Sequence, residues 1–192
     1  TTAMSDRAAL DEREGVDRRC FVEEIVPTAK PVVLRGLVTQ WPGVAQARVS
    51  DQALASYLVA RDSGADVDAL MVPPGRGGRI FYADDWNGFN FLHRRMPLSQ
   101  VVEQVLRYAE YSEAPAVAVQ SAPLKHCAPA LLQEHSMPLV PEGVQPRLWF
   151  GNAIVTPAHF DESHNVACVV AGQRRFTLFP PDRQASAGQL TV

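Results

Sequence analysis

The sequence is poor in cysteine. Its three, Cys20, Cys127 and Cys168, are odd in number, far apart and without the CxxC spacing of zinc or redox sites. That argues against a disulfide framework and reads as reduced thiols of a cytoplasmic protein. No apolar run approaches the roughly 20 residues of a membrane span. The charged N-terminus lacks the apolar core of a signal peptide. Excess positive charge is also missing: 18 basic against 21 acidic residues give a net charge of −3. The pairs Arg18-Arg19, Arg94-Arg95 and Arg174-Arg175 are scattered rather than gathered into a stripe, so the chain shows no nucleic-acid footprint. Internal repeats and low-complexity blocks are absent. The expectation is a cytoplasmic protein with neither a membrane nor a nucleic-acid partner.

What is there is a 192-residue chain, 46% hydrophobic, long enough for a real core. Residues 6–24 are charged with few breakers and suggest one or two helices. "PVVLRGLV" from Pro31 reads as a buried strand. Ser50 caps an amphipathic helix running to Ser63, with Leu54, Tyr57 and Leu58 at helical intervals. "VDALMV" and "RIFYA" read as strands, Pro97 to Ser112 as the clearest helix, "AVAVQS" as a short strand and "APALLQEH" as a short helix. From Arg147 the strand-like runs "RLWFGN", "IVTPAHFD", "NVACVVAG" and "RRFTLFPP" follow one another across tight turns. Such a succession indicates antiparallel sheet of sandwich or jelly-roll type. The chain therefore divides into a mixed α/β region, 1–145, and the first strands of a β domain, 146–192.

The chemistry-bearing stretch is "TPAHFDESHN", Thr156 to Asn165. In an extended segment His159 and Asp161 point the same way and Phe160 the other. They are two of the three ligands of a facial iron triad, or else a solvated polar pair. In "RRFTLF", alternation puts Arg174, Phe176 and Leu178 on one face and Arg175, Thr177 and Phe179 on the other. An inward guanidinium suits the carboxylate of a small organic acid, and otherwise snorkels to the rim or pairs with a protein carboxylate. Thr156 could give a hydroxyl to the same ligand. Asn165 shares the parity of His159 and Asp161, and reads either as a supporting amide or as a turn cap. His164, an odd separation from His159, reads as a surface histidine, and His93, His126 and His135 as structural.

The run "RLWFGNAIVTPAHFDESHNVACVVAGQRRFTLFPPD", with "PVVLRGLVTQWP", "GRIFYADDWNGFNF" and "VQSAPL" before it, resembles the cupin-like JmjC oxygenases. That group includes the asparaginyl hydroxylase that represses hypoxia-inducible factor and its bacterial relatives. The resemblance implies a double-stranded β-helix, a cupin-like jelly roll, which would be incomplete in this chain. It implies Fe(II) held by His159 and Asp161 with a distal histidine that this chain does not contain. It implies 2-oxoglutarate contacted by Thr156 and Arg174, with Asn165 beside it. Arg174 stands where the human-type relatives have lysine, which keeps the charge. Ala118 stands where they carry a tyrosine that holds the cofactor, so that contact is either missing or replaced, with Tyr82 the candidate replacement.

The reading is thus an Fe(II)/2-oxoglutarate-dependent hydroxylase of a protein side chain or small molecule, consuming O2. Gln120 and Tyr82 are its substrate-facing candidates, and a homodimer is compatible with it. The rival is a non-catalytic cupin-like binding module.

Overall fold

The computed structural model describes residues 10–161 and 163–179. It opens with β1 (Asp11–Glu14), a charged strand that carries no apolar signal. Gly15, at φ +62°, ends it, and Asp17 then starts α1 (Arg18–Cys20) by accepting a 2.8 Å hydrogen bond from the Cys20 N–H. The helical path continues through a wide turn at Phe21–Ile25 and a tight one at Val26–Thr28. β2 (Val32–Arg35) returns parallel to β1, from Asp11 against Val32 to Glu14 against Arg35. The Arg35 Nε–H and Nη2–H each donate to a Glu12 carboxylate oxygen at 2.8 Å. Residues 10–24, expected to be helical throughout, are therefore strand first and helix only from Arg18. The first nine residues of the chain lie outside the described ones.

Helices α2 (Pro42–Val49) and α3 (Asp51–Val59) follow, the second capped as expected by Ser50, whose Oγ accepts from the Ala53 N–H at 3.0 Å. Then come β3 (Asp66–Val72), β4 (Leu92–Pro97), α4 (Leu98–Tyr108), β5 (Ala116–Pro123), α5 (Leu124–Cys127), α6 (Ala130–Glu134) and β6 (Arg147–Gly151). The four strands make one antiparallel sheet in the order β4-β3-β5-β6. β6, the first strand after residue 145, thus hydrogen-bonds directly to β5. Strand alternation gives the sheet two unlike faces. Val67, Ala69, Val117 and Val119 pack on α3 and α4 through Leu58, Leu98, Val101 and Val102, forming the main core. Full burial of one such side chain contributes about 1.5–3 kcal/mol. Leu70, Val72 and Ala116 face the other way, under Ile80, Phe91 and Ile154. β4 was not expected because "LHRRMP" is polar and mostly exposed. It is the sheet's edge, where charge discourages pairing with other chains.

Two expectations of strand are corrected. "RIFYA" makes only single bridges, Arg79 to Val155 and Tyr82 to Phe89. The Asn90 side chain takes the ladder positions instead, accepting from the Phe81 N–H at 2.9 Å and donating to the Arg79 carbonyl at 2.8 Å. Beyond β6, the runs from Ile154, Asn165 and Arg174 form no regular strand among the described residues. An extended segment becomes a strand only when neighbours take its N–H and C=O groups. None of the backbone hydrogen bonds among the described residues reaches past Val155. Alternation survives without the ladder: Val166, Cys168 and Val170 are half-buried while Ala167 and Val169 are exposed. The described sheet is open and closes no barrel; Glu162 and the end of the chain from Pro180 lie outside the described residues.

A polar clasp joins α3 to α6. The Tyr57 hydroxyl and the Arg61 Nε–H both donate to Glu134, the latter at 2.7 Å, and the Arg61 guanidinium lies 3.6 Å over the Tyr57 ring. Burial, helped by the Glu134 carboxylate, pushes the Tyr57 phenol up to about 12. Arg61 and then Tyr57 hold Glu134 below the usual carboxylate range. A raised phenol contributes stability that is fully present below its unfolded value of about 10 and is lost as pH climbs toward its folded value. A depressed carboxylate contributes stability that is present above its unfolded value and is lost as pH falls through its folded one. Thermal unfolding followed across pH should show both losses. Tyr57→Phe should reduce the alkaline loss, and an unchanged alkaline limb in that variant would contradict the role of the clasp.

Candidate functional site

The site is assembled on the sheet face turned away from the helices. On β5, Val117 and Val119 point to the helical core, which leaves Ala116, Ala118 and Gln120 on the open face. Ala118 stands opposite Gly151 of β6, and a Cβ at Gly151 would overlap the Val117 carbonyl oxygen, so no larger residue fits there. Asn152 then turns the chain off the sheet without leaving its edge unsatisfied. Its Oδ1 accepts from the Val117 N–H at 2.8 Å, its Nδ2 donates to the Pro115 carbonyl at 2.9 Å, and its own N–H donates to the Val117 carbonyl at 3.1 Å. Three residues on, the Val155 N–H donates to the Gly78 carbonyl at 2.9 Å and the Ile80 N–H to the Val155 carbonyl at 3.1 Å. Gly78, at φ +67°, can only be glycine here, since a Cβ would overlap the Ala153 carbonyl oxygen.

Thr156 follows this tether, and its Oγ1 accepts a 3.3 Å hydrogen bond from Gln120 Nε2. The His159 Nδ1–H donates to the Pro157 carbonyl at 2.9 Å, which leaves Nε2 without a partner among the described residues. Asp161 Oδ2 accepts from Asn165 Nδ2 at 2.7 Å, leaving Oδ1 without a partner among the described residues. Arg174 makes no described ion pair. Its guanidinium carbon lies 5.3 Å from the centre of the Trp149 ring and 5.9 Å from that of Phe176. No described residue accepts a hydrogen bond from its N–H donors, which suit a carboxylate. Tyr82 sits in an exposed aromatic loop, 5.6 Å from Phe89 and 5.8 Å from Trp86, with no hydrogen-bond partner for its hydroxyl among the described residues. His164 is exposed, and His135 accepts from the Gly43 N–H at 3.3 Å beside Trp41.

The structure thus joins Thr156 to Gln120, Asp161 to Asn165 and Arg174 to Trp149. Among the described residues no hydrogen bond or ion pair links these groups to one another, and no cluster of three or more His, Cys, Asp or Glu side chains forms. The donor set nevertheless suits a metal in its chemistry. A ligating histidine ordinarily donates its second N–H to a carbonyl and a ligating carboxylate is itself hydrogen-bonded, as His159 and Asp161 are. Sequence reasoning did not find the supports. Asn152 reads as a turn residue, Trp149 as a core aromatic and Pro157 as a strand breaker. Only the offset of four between Asp161 and Asn165 carried a signal.

The chain was compared with known proteins. Residues 18–186 match the model of the cupin-like domain. The chain is also similar to the human bifunctional peptidase and (3S)-lysyl hydroxylase JMJD7, with 28% identity over 172 residues, covering 84% of this chain and 51% of that protein. It therefore spans about half the length of that relative. No helix among the described residues is long and apolar enough to cross a membrane.

Asn152 anchors the whole site segment, so Asn152→Ala should destabilise the protein by about 1–3 kcal/mol, because the Val117 N–H and the Pro115 carbonyl lose their partners. Chemical denaturation of the variant and the parent measures this directly, and an unchanged midpoint would show that the anchor is dispensable.

Proposed function

The chain belongs to the cupin-like domain family, and on that premise we propose that it carries the metal- and co-substrate-binding part of an Fe(II)/2-oxoglutarate-dependent hydroxylase. The observation that carries the reading is His159, engaged at Nδ1 by the Pro157 carbonyl with Nε2 left without a partner among the described residues, two residues before a carboxylate held on one oxygen only. In this reading 1–145 is the mixed α/β region, 146–192 supplies the first jelly-roll strands, and a distal histidine completes the ligand set. Iron bound there supplies the oxidative chemistry, coupling decarboxylation of 2-oxoglutarate by O2 to hydroxylation of a C–H bond, with succinate and CO2 as co-products. The residues of this chain bind and orient. His159 and Asp161 present one nitrogen and one oxygen to the metal, and Asn165 keeps the carboxylate from rotating. Thr156 and Arg174 take the distal carboxylate of 2-oxoglutarate, and Tyr82 borders the approach of the substrate. The activity in the name of the human relative makes a protein side chain the first substrate class to test, ahead of small molecules. The reduced thiols fit a cytoplasmic setting.

The test is anaerobic calorimetry on the full-length protein with Fe(II) or Mn(II). His159→Ala and Asp161→Ala should each abolish measurable metal binding, and Asn165→Ala should weaken it about 10-fold or more. Arg174→Ala should leave metal affinity in place and weaken 2-oxoglutarate binding. Wild-type protein that binds neither metal nor 2-oxoglutarate would favour a non-catalytic cupin-like module instead.

A further inference from the structure

The hydrogen bond between Gln120 and Thr156 crosses 36 positions of sequence, and β5 is distorted at the place where it forms. The pairing of β5 with β6 runs regularly through Ala118 and Val119, then shifts by a bulge before Ala122. Within the bulge Ser121 adopts φ +56°, a left-handed conformation that costs a non-glycine residue of order 1 kcal/mol or more. The Arg147 Nη1–H donates to the Ser121 carbonyl at 2.9 Å and braces the bulge from β6. Bulges of this kind re-aim a side chain beside functional sites. The side chain re-aimed here is Gln120, which lies on the open face and reaches Thr156.

We infer that Gln120 is a positioning residue: its amide occupies an acceptor lone pair of the Thr156 hydroxyl and thereby turns the hydroxyl proton outward, to be donated to an anionic carboxylate. A threonine hydroxyl has one proton and two acceptor lone pairs. Left alone it can spend that proton on the nearest carbonyl. With an N–H donor already pointing at its oxygen, the proton has to go elsewhere, and no described residue accepts it. The backbone of Thr156 is fixed independently by the tether of Val155 to Gly78 and Ile80, so Gln120 sets the direction of the hydroxyl and not the place of the residue. The inference rests on the proposed binding of 2-oxoglutarate and gives Gln120 a role distinct from substrate contact. Its ligand class is a carboxylate that presents an acceptor and no proton.

The experiment is a double-mutant cycle on the full-length protein, with 2-oxoglutarate titrated anaerobically in the presence of Mn(II) and the metal affinity and melting temperature of every variant recorded. Thr156→Val should weaken 2-oxoglutarate about 10-fold, because a hydrogen bond to a charged group is lost. Gln120→Leu should weaken it by less, and the double variant Gln120→Leu/Thr156→Val should be no weaker than Thr156→Val alone. Gln120→Glu should be the most damaging single change, since its carboxylate accepts the Thr156 proton and repels the ligand. Metal affinity should stay constant throughout. Additive losses in the double variant, or full affinity in both Gln120 variants while Thr156→Val is impaired, would overturn the positioning role and leave the proposed function standing. Wild-type protein that binds the metal but no 2-oxoglutarate would overturn both.

Discussion

Two backbone hydrogen bonds, from Val155 to Gly78 and from Ile80 to Val155, decide where the candidate site lies. Among the described residues, the segment that follows has no ladder of its own, so its order there comes from points of attachment. Asn152 provides the first, by replacing strand contacts with side-chain amide contacts to residues 115 and 117. The Val155 tether is the second, and it works only because Gly78 lets two backbones approach more closely than any Cβ allows. Further along, Val170 packs on Gly43 of α2, again where a side chain is missing. The glycines at 43 and 78 are thus best understood as places where the site segment touches the scaffold.

A common arrangement recurs at the candidate groups. His159 is engaged at Nδ1 and not at Nε2, Asp161 at one oxygen and not at the other, and Thr156 as acceptor and not as donor. Arg174 lies over two aromatic rings, and no described residue accepts from its N–H groups. Each side chain has lost part of its rotational freedom to a protein partner and retains one unsatisfied direction. Holding a side chain in this way before a ligand arrives lowers the ordering cost of binding. All four are also solvent-accessible in the described structure, so water satisfies those remaining directions and the cost of leaving them open is small.

What could be read from the sequence was what depends on local pattern. "DVDALMV", "AVAVQS" and "RLWF" are apolar enough to announce β3, β5 and β6, and the Ser50 cap announces α3. β1 and β4 gave no such signal, because "DERE" and "LHRRMP" are charged strands whose partners, not their own residues, make them strands. The same dependence explains why the runs after Asn152, strand-like by composition, form no ladder here. At the site, the spacing of His159 and Asp161 was legible because two positions is the period of an extended chain. The supports of Thr156 and Arg174 were not, since Gln120 reaches Thr156, and Trp149 reaches Arg174, only through the pairing of β5 with β6 and the path beyond it.

The open face of the sheet brings these levels together. Its floor at the β5–β6 pair is Ala118 opposite Gly151, almost without side chains, while Gln120 and Trp149 project from the same two strands next to it. Ala118 is itself buried, while Thr156 hydrogen-bonds Gln120 and Arg174 lies over Trp149, so the site segment touches this face through the side chains that flank the Ala118–Gly151 pair. The two strands therefore act on the segment beyond Asn152 through Gln120 and Trp149, and the register that sets Ala118 opposite Gly151 fixes the positions from which those two side chains reach Thr156 and Arg174.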